Sequence, residues 1–149
     1  MLSREDFWQF ACEFYSRPQM QSRLLSLQDT ADKNINLCLL LGYLDSLNVT
    51  IQHDAMVALQ QTADAFDQTV LKPQRRIRQT LKAHHQDYED YPALRAAMLT
   101  AELELEKRQQ ALLLDTVARF TLTPLQSGSN WSLYLNANEY SELFNATGN

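Results

Sequence analysis

Residues 35–47 place apolar side chains on nearly every side of a helix, and such a helix cannot lie at a protein surface. A helix without a polar face is buried among other elements. We therefore predict a buried central helix over residues 35–47, with Asn34 or Asn36 as its N-cap. The apolar positions are Ile35, Leu37, Cys38, Leu39, Leu40, Leu41, Tyr43, Leu44 and Leu47.

The composition indicates that the elements around this helix are also helical. Among 149 residues, Leu and Ala together supply 40, Val and Ile supply only 7, and there are 3 Gly and 4 Pro. Straight-chain residues lose little rotamer freedom in helices, whereas β-branched residues favour strands. A chain of this length buries about 70% of its unfolded surface without a metal or a disulfide. We expect an all-α, single-domain bundle of five or six helices.

Turn-forming residues near the C-terminus divide the chain into three parts. Residues 121–130 contain Pro124, Gly128 and several Ser and Asn residues, a composition typical of a linker. We predict a helical core domain over residues 1–120 and a C-terminal segment over residues 131–149. The segment contains Trp131 and Phe144 among its apolar residues, so we expect it to dock on the core. Residues 146–149 are expected to fray.

Two amphipathic stretches predict long helices in the second half of the core. The first repeats in steps of three and four through Pro73, where we expect either a kink or the start of a new helix. The second begins after Tyr91-Pro92 and ends near Arg119. The first stripe consists of Leu59, Ala63, Phe66, Val70, Pro73, Ile77, Leu81 and His84. The second consists of Leu94, Met98, Ala101, Leu105 and Leu112.

Charge and cysteine content favour a soluble cytoplasmic protein. A net charge of −5 provides no general attraction to nucleic acid or to an anionic membrane. Cys12 and Cys38 lie in apolar helical patterns, so we expect two buried free thiols in a reducing compartment. No leader sequence is recognisable, and the longest apolar run is far shorter than the roughly 20 residues of a membrane helix. We expect no metal and no cofactor.

Four short motifs in the N-terminal third resemble those of a known family. They are Phe7-Trp8-Gln9-Phe10-Ala11, Tyr15-x-x-Pro18, Leu27-Gln28-Asp29 and Asn34-x-Asn36-Leu37. In this order they resemble an uncharacterised family of small, all-helical bacterial proteins, a domain of unknown function, over residues 1–120. The chain departs from the family where Leu24-Leu25 replaces a Cys-Leu pair and where Asn34 replaces an acidic residue. The resemblance implies a helical fold in a bacterial cytoplasm, and it implies no activity, cofactor or catalytic residue.

A group of polar residues precedes and opens the central helix. Gln28, Asp29, Asn34 and Asn36 are candidates for ligand binding, because carboxylates and amides together can position a small polar ligand. Capping accounts for the same residue types, since Asn34 or Asn36 can cap the helix and Asp29 can accept from loop amides. No glycine lies where a calcium loop needs its turn, so we expect no metal here.

A run of five bases contains no acid. On a helix Arg75, Arg78 and Lys82 share a face, where they can meet phosphate groups or an acidic partner. Residues 87–106 hold six acids and one base, so an antiparallel return of the next helix would offset these charges instead. No aromatic residue lies between the bases to stack on nucleotides, which makes nucleic acid the weaker partner. The five bases are Lys72, Arg75, Arg76, Arg78 and Lys82.

The first predicted helix carries aromatic side chains in several directions. Phe7, Trp8 and Phe10 point to different sides at about 100° per residue. Either the helix is buried on two sides or one side is a contact surface, where Trp is enriched. Trp8 is therefore a candidate for partner contact, and its burial under the C-terminal segment is the alternative. The other partner-contact candidates are Arg75, Arg76, Arg78 and Lys82.

Motifs for catalysis are absent from the sequence. Glu102 and Glu106 lie one turn apart, but a di-iron bundle needs a Glu-x-x-His motif on each of two helices, and the chain has none. There is no Gly-rich phosphate loop, no Gly-x-Ser-x-Gly and no Cys-x-x-Cys. The sequence favours a non-enzymatic cytoplasmic interaction protein with a protein partner, and it leaves self-association open. The alternative is a small-ligand binder or enzyme with a polar pocket at residues 29–36.

Overall fold

The computed structural model describes residues 2–144, and it is 76% helical. A π-helical turn, Asp67–Leu71, joins α4 to α5, so the seven α-helical segments of this part of the chain form six separate helices. The predicted all-α bundle of five or six helices is confirmed. The segments are α1 Arg4–Tyr15, α2 Met20–Ala31, α3 Ile35–Ser46, α4 His53–Phe66, α5 Lys72–His85, α6 Tyr91–Val117 and α7 Ala137–Phe144.

The central helix of the bundle is α3, as its sequence predicts. Every residue from Asn36 to Leu44 is buried, and α1, α2, α4 and α6 all pack on it. Of the two predicted N-caps, Asn34 is the one observed: its side-chain oxygen accepts from the Leu37 backbone N–H at 2.8 Å. Asn36 lies in the first turn of α3, and its side chain hydrogen-bonds to residues of α6 instead.

The C-terminal segment packs on α1 and α3. A short 3-10 helix, Asn130–Leu133, carries Trp131, whose ring centroid lies 5.7 Å from that of Phe14. Trp131 also lies over Gly42, where a Cβ atom would come within 2.6 Å of the Trp131 Cζ2 atom. Gly42 therefore allows the indole ring to approach the α3 backbone. The predicted frayed end, residues 146–149, lies outside the described residues.

A two-stranded ladder fastens the segment expected to be a linker. The strand β1, Val49–Thr50, pairs antiparallel with β2, Thr123–Pro124. The Leu125 N–H then donates to the Asn48 carbonyl at 2.9 Å. The turn-rich composition of residues 121–130 predicted an irregular segment. Composition alone does not show that its backbone pairs with that of residues 48–50.

The π-helical turn changes the register of the first amphipathic stripe. Leu59 and Ala63 are buried as predicted, but Leu71 is buried in place of Val70, and Ile77 is 54% exposed. A π turn holds one residue more than an α turn, which rotates everything beyond it by about 100°. The predicted stripe is therefore wrong beyond the turn. Pro73 lies in the first turn of α5, directly after the π-helical turn.

Helix α5 and the first part of α6 form an antiparallel hairpin that projects from the bundle. We call residues 72–108 the arm. No residue of α5, and none of residues 91–108 of α6, is buried, whereas α6 is largely buried from Gln109 onward. Of the predicted α6 stripe, Leu94 is 39% exposed and Ala101 is also exposed, whereas Met98 and Leu105 are half-buried, so the stripe is wrong at Leu94 and Ala101.

The two cysteines differ in their surroundings. Cys38 is buried on α3 as predicted, and burial raises the pKa of its thiol to about 12. Cys12 is exposed, so its predicted burial is wrong. It lies on the outer side of α1, next to the buried Ala11, and the apolar pattern around it did not separate the two sides.

Within residues 2–144, no helix combines the length and the apolar character that crossing a membrane requires.

Candidate functional site

A buried cluster of amide and carboxylate side chains lies where α3, the π-helical turn and α6 meet. We call it the amide–carboxylate cluster. Within it Asn34, Asn36, Gln109 and Gln110 are buried, and Asp67 and Glu106 are half-buried. Buried polar groups need hydrogen-bond partners, and the side chains of this cluster mostly supply one another's. The members are Asn34, Asn36, Asp67, Glu106, Gln109 and Gln110.

Asn36 is at the centre of the cluster. Its Nδ2 donates to the Glu106 Oε2 at 2.6 Å and to the Gln109 Oε1 at 2.9 Å. Its Oδ1 accepts from the Gln110 Nε2 at 3.0 Å. Because a carboxylate only accepts, Glu106 fixes which end of the Asn36 amide faces it, and this in turn fixes the orientation of Gln110.

The π-helical turn supplies Asp67 to the other side of the cluster. Its two carboxylate oxygens accept from the Asn34 Nδ2 at 2.8 Å and from the Gln109 Nε2 at 2.9 Å. The same Gln109 Nε2 lies 3.2 Å from the Ala63 carbonyl. π-helical turns often occur at functional sites. Here the first residue of the turn, Asp67, links Asn34, the N-cap of α3, to Gln109 of α6.

The pKa of the Glu106 carboxyl group is subject to electrostatic influences of opposite sign. Burial raises the pKa of its carboxyl group, while the Arg75 guanidinium and the Asn36 hydrogen bond act in the opposite direction. The Asp67 carboxylate adds a smaller upward influence. The net result is a pKa above the ordinary value for glutamate, because removal from water disfavours the charged form.

The structure separates the four predicted ligand-binding residues into two pairs. Asn34 and Asn36 belong to the amide–carboxylate cluster. Gln28 is half-buried and Asp29 is exposed on α2, and neither side chain makes a hydrogen bond within the described residues. Ligand binding by these residues stays a prediction, and within residues 2–144 only Asn34 and Asn36 of the four are joined through the hydrogen bonds of the cluster.

Sequence reasoning missed Asp67, Gln109 and Gln110. One signal was present, because Gln109 follows Leu105 by four residues, where the α6 stripe needs an apolar residue. A glutamine in such a position predicts a buried hydrogen-bond partner. No comparable signal marked Asp67, since its position depends on the π-helical turn.

A shallow groove of about 460 Å³ runs between α1 and α6 beside the cluster. Trp8 is half-buried in its wall, and the Lys107 Nζ lies 4.8 Å from the centroid of one of its rings. Gln110 also lines the groove, and its buried Oε1 has no hydrogen-bond partner among the described residues. The groove residues are Arg4, Glu5, Trp8, Glu104, Lys107, Arg108, Gln110 and Ala111.

The bases of α5 divide into paired and unpaired side chains. Arg78 makes two bonds to the Glu102 carboxylate, at 2.6 and 3.0 Å, and Arg75 donates to Glu106 at 3.2 Å. The antiparallel return of α6 therefore offsets these two charges. Arg76 and Lys82 are exposed and form no ion pair within residues 2–144.

The arm also exposes several large apolar side chains. Ile77 is 54% exposed and Leu103 is 50% exposed. Single exposed apolar residues are ordinary, and a contact surface needs several of them on one side of the arm. The exposed apolar residues of the arm are Ile77, Tyr88, Leu94, Leu99 and Leu103.

Within residues 2–144, no group of three or more His, Cys, Asp or Glu side chains is placed to hold a metal ion.

Fold and surface together define a class of protein, an all-α bundle that carries a projecting helical hairpin. The family described as "Protein of unknown function (DUF2390)" matches residues 6–113 of the chain. The chain belongs to this family, which confirms the predicted resemblance to a domain of unknown function. Comparison with curated proteins and with solved structures produced no match.

Proposed function

We propose that this is a non-enzymatic interaction protein of the cytoplasm that contacts a protein partner through the arm. One observation carries the proposal: the arm exposes Ile77 and Leu94 on the same side although it is built as two well-formed helices. A hairpin that serves only to complete a bundle has its apolar side chains against the bundle. This hairpin extends beyond it.

Energetic reasoning supports a contact role for these side chains. Burying a half-exposed Leu or Ile yields about 1 kcal/mol, so a partner that covers several of them gains useful affinity. The exposed Arg76 adds positive charge beside Ile77. Apolar residues with charges at their edge are typical of protein contact surfaces.

The cytoplasmic location rests on the cysteines. Cys12 is an exposed free thiol and Cys38 a buried one. Exposed unpaired thiols persist in reducing compartments and tend to oxidise elsewhere. This supports a reducing environment such as the cytoplasm.

The proposal is tested by comparing what is captured by matched variants. The chain is tagged in its native cells, and the proteins captured with it are quantified for the wild type, Leu94→Asp and Val57→Asp. Leu94 lies on the arm and Val57 on α4, and both are 39% exposed, so the two substitutions place a charge in equally open positions. We expect Leu94→Asp to lose a partner that both other proteins retain.

Identical capture by all three proteins would overturn the proposal. Circular dichroism checks that the variants keep the helix content of the wild type. Because both positions are exposed, each substitution is expected to change stability by less than about 0.5 kcal/mol.

A second candidate function is binding of a small ligand in the groove between α1 and α6. The observation that favours it is the unpartnered Oε1 of the buried Gln110, which would accept from an N–H or O–H group of a ligand. Arg108 in the lining suits an anionic group on the same molecule, whereas Arg4 is paired with Asp115. Native mass spectrometry of gently purified protein tests this candidate. It predicts an added mass that Gln110→Leu removes, and a bare chain would contradict it.

A further inference from the structure

We infer that the arm docks on the arm of a second copy of this chain, with the two arms antiparallel about a two-fold axis. The inference rests on the proposed function, because it names the partner of the same surface. The docking surface is one side of the hairpin, which we call the Ile77 face. Its members are Pro73, Arg76, Ile77, Thr80, Leu94, Ala97 and Ala101.

Ion pairs within the hairpin define the two sides of the arm. Arg75 bonds to Glu106, so both residues lie on one side of the seam between α5 and α6. Helical geometry then places Ile77 on the opposite side of α5, and Leu94 and Ala101 on the opposite side of α6. Ile77 and Leu94 therefore belong to the same face.

The centre of the Ile77 face is apolar and open. A shallow depression of about 510 Å³ on α5 is lined by Pro73, Arg76, Ile77, Thr80 and Leu81. Opposite it on α6, Ala97 and Ala101 are both exposed and small. No charged residue lies between Arg76 and the tip of the arm on this face. A second apolar helix pair can therefore pack closely against it.

The charge at the two ends of the arm selects the antiparallel arrangement. The tip carries the acids Asp87, Glu89 and Asp90, with no Lys or Arg from residue 83 to residue 94. The root carries Arg76 and Arg108, together with Glu104, whose charge is offset by its ion pair with Lys107 at 3.6 Å. Antiparallel docking brings the acidic tip of each copy to the basic root of the other. Parallel docking would bring like charges together, which is unfavourable.

The area of the face is sufficient for a dimer of modest affinity. Helix α5 has 14 residues, which makes the arm about 21 Å long, and two helices make it about 20 Å wide. Two such faces bury about 840 Å² in total, which lies in the range of weak, transient interfaces. Because the same face is used by both copies, the assembly closes as a dimer and does not extend.

The test is sedimentation equilibrium of the full chain over a wide range of concentrations. We expect the average mass to rise with concentration from 17.2 kDa toward twice that value, and no further. Ile77→Asp should remain monomeric throughout, while Val57→Asp, on α4, should behave as the wild type. A wild type that stays monomeric overturns the inference, and so does an Ile77→Asp variant that still dimerises.

Charge reversal tests the antiparallel arrangement. Reversing the tip (Asp87→Lys, Glu89→Lys, Asp90→Lys) or the root (Arg76→Glu, Arg108→Glu) should weaken the dimer at least tenfold at low salt. Reversing both ends in one chain should restore it, because each tip again meets an oppositely charged root. Failure of the combined variant to recover would rule out this arrangement.

The outcomes separate this inference from the proposed function. If the purified chain is monomeric but Leu94→Asp still loses a captured protein of another kind, the arm is a contact surface and its partner is not a second copy. If the chain dimerises through the Ile77 face and no other capture depends on Leu94, the second copy is the partner.

Discussion

At the scale of single residues, Asn36 shows how one amide side chain joins two helices, α3 and α6. It lies in the first turn of α3 and bonds to three residues of α6. Sequence reasoning singled out Asn36, because a polar residue at the start of an otherwise apolar helix is conspicuous. Its hydrogen-bond partners on α6 could not be predicted from the sequence. They contact Asn36 only because of the way α6 packs against α3, and no local sequence pattern specifies that packing.

Removing the Asn36 amide should destabilise the fold. Asn36→Ala leaves the buried Glu106 carboxyl group, the Gln109 carbonyl and the Gln110 amide short of partners. Groups left unsatisfied in this way cost about 1–3 kcal/mol, and we expect about 2 kcal/mol in urea unfolding. Asn138→Ala, at an exposed position on α7, is the control and should change stability by less than about 0.5 kcal/mol. Equal effects of the two substitutions would show that the cluster adds nothing to stability.

The raised pKa of Glu106 predicts a pH dependence of stability with a defined sign. A carboxyl group whose pKa is raised on folding stabilises the fold when protonated, and this contribution is lost as the pH rises through the folded-state pKa. The free energy of unfolding of the wild type, relative to Glu106→Gln, should therefore increase as the pH falls from neutral toward about 4.3, the ordinary pKa of glutamate.

The opposite trend would mean that Arg75, and not burial, dominates at Glu106. In that case the folded-state pKa would lie below the ordinary value, and the relative stability of the wild type would decrease as the pH falls. The measurement is urea unfolding of both proteins at a series of pH values.

At the scale of elements, the positions of most helices could be predicted from the sequence, but which of their faces are buried could not. Periodicity located the helices well, and the apolar run of α3 identified the centre of the bundle. The π-helical turn broke the rule on which the faces depended, because its extra residue exchanged Val70 for Leu71 and turned Ile77 outward. Such a turn has no sequence signature, so the direction of the arm could only come from the structure.

The contact between α3 and Trp131 predicts an unusual effect of a glycine substitution. Gly42→Ala in a helix would ordinarily stabilise by up to about 1 kcal/mol through helix propensity. Here the new Cβ would lie 2.6 Å from the Trp131 Cζ2 atom, so the indole ring must move. We expect a net loss of about 1–3 kcal/mol in thermal or urea unfolding.

A second background tests the cause of that loss. In a Trp131→Leu protein the ring is absent, so adding Gly42→Ala should cost less than it does in the wild type. A stabilising effect of Gly42→Ala in the wild type would contradict the close approach of the indole ring to α3.

At the scale of the whole molecule, the bundle buries most of its apolar side chains and the arm exposes several of its own. The bundle is closed by the buried α3, by the docked Trp131 and by the amide–carboxylate cluster at the point where the arm begins. The ion pairs Arg75–Glu106 and Arg78–Glu102 stiffen the arm near its root. A stiff, exposed hairpin loses little conformational entropy when it binds, which suits it to present a contact surface.

The most direct test of the arm as a contact surface is its accessibility inside cells. Cys12→Ser removes the exposed thiol, and the buried Cys38, with its pKa raised to about 12, reacts slowly. In this background Leu94→Cys and Val57→Cys each add one reporter at equal exposure. Their rates of labelling by a membrane-permeant maleimide are measured in living cells and in dilute purified protein.

We predict that the two thiols react at similar rates in the dilute protein. In cells the thiol at position 94 should react on the order of tenfold more slowly than the thiol at position 57, as expected of a site that is covered about nine-tenths of the time. Equal rates at both positions in cells would mean that nothing covers the arm, and would contradict the proposed function.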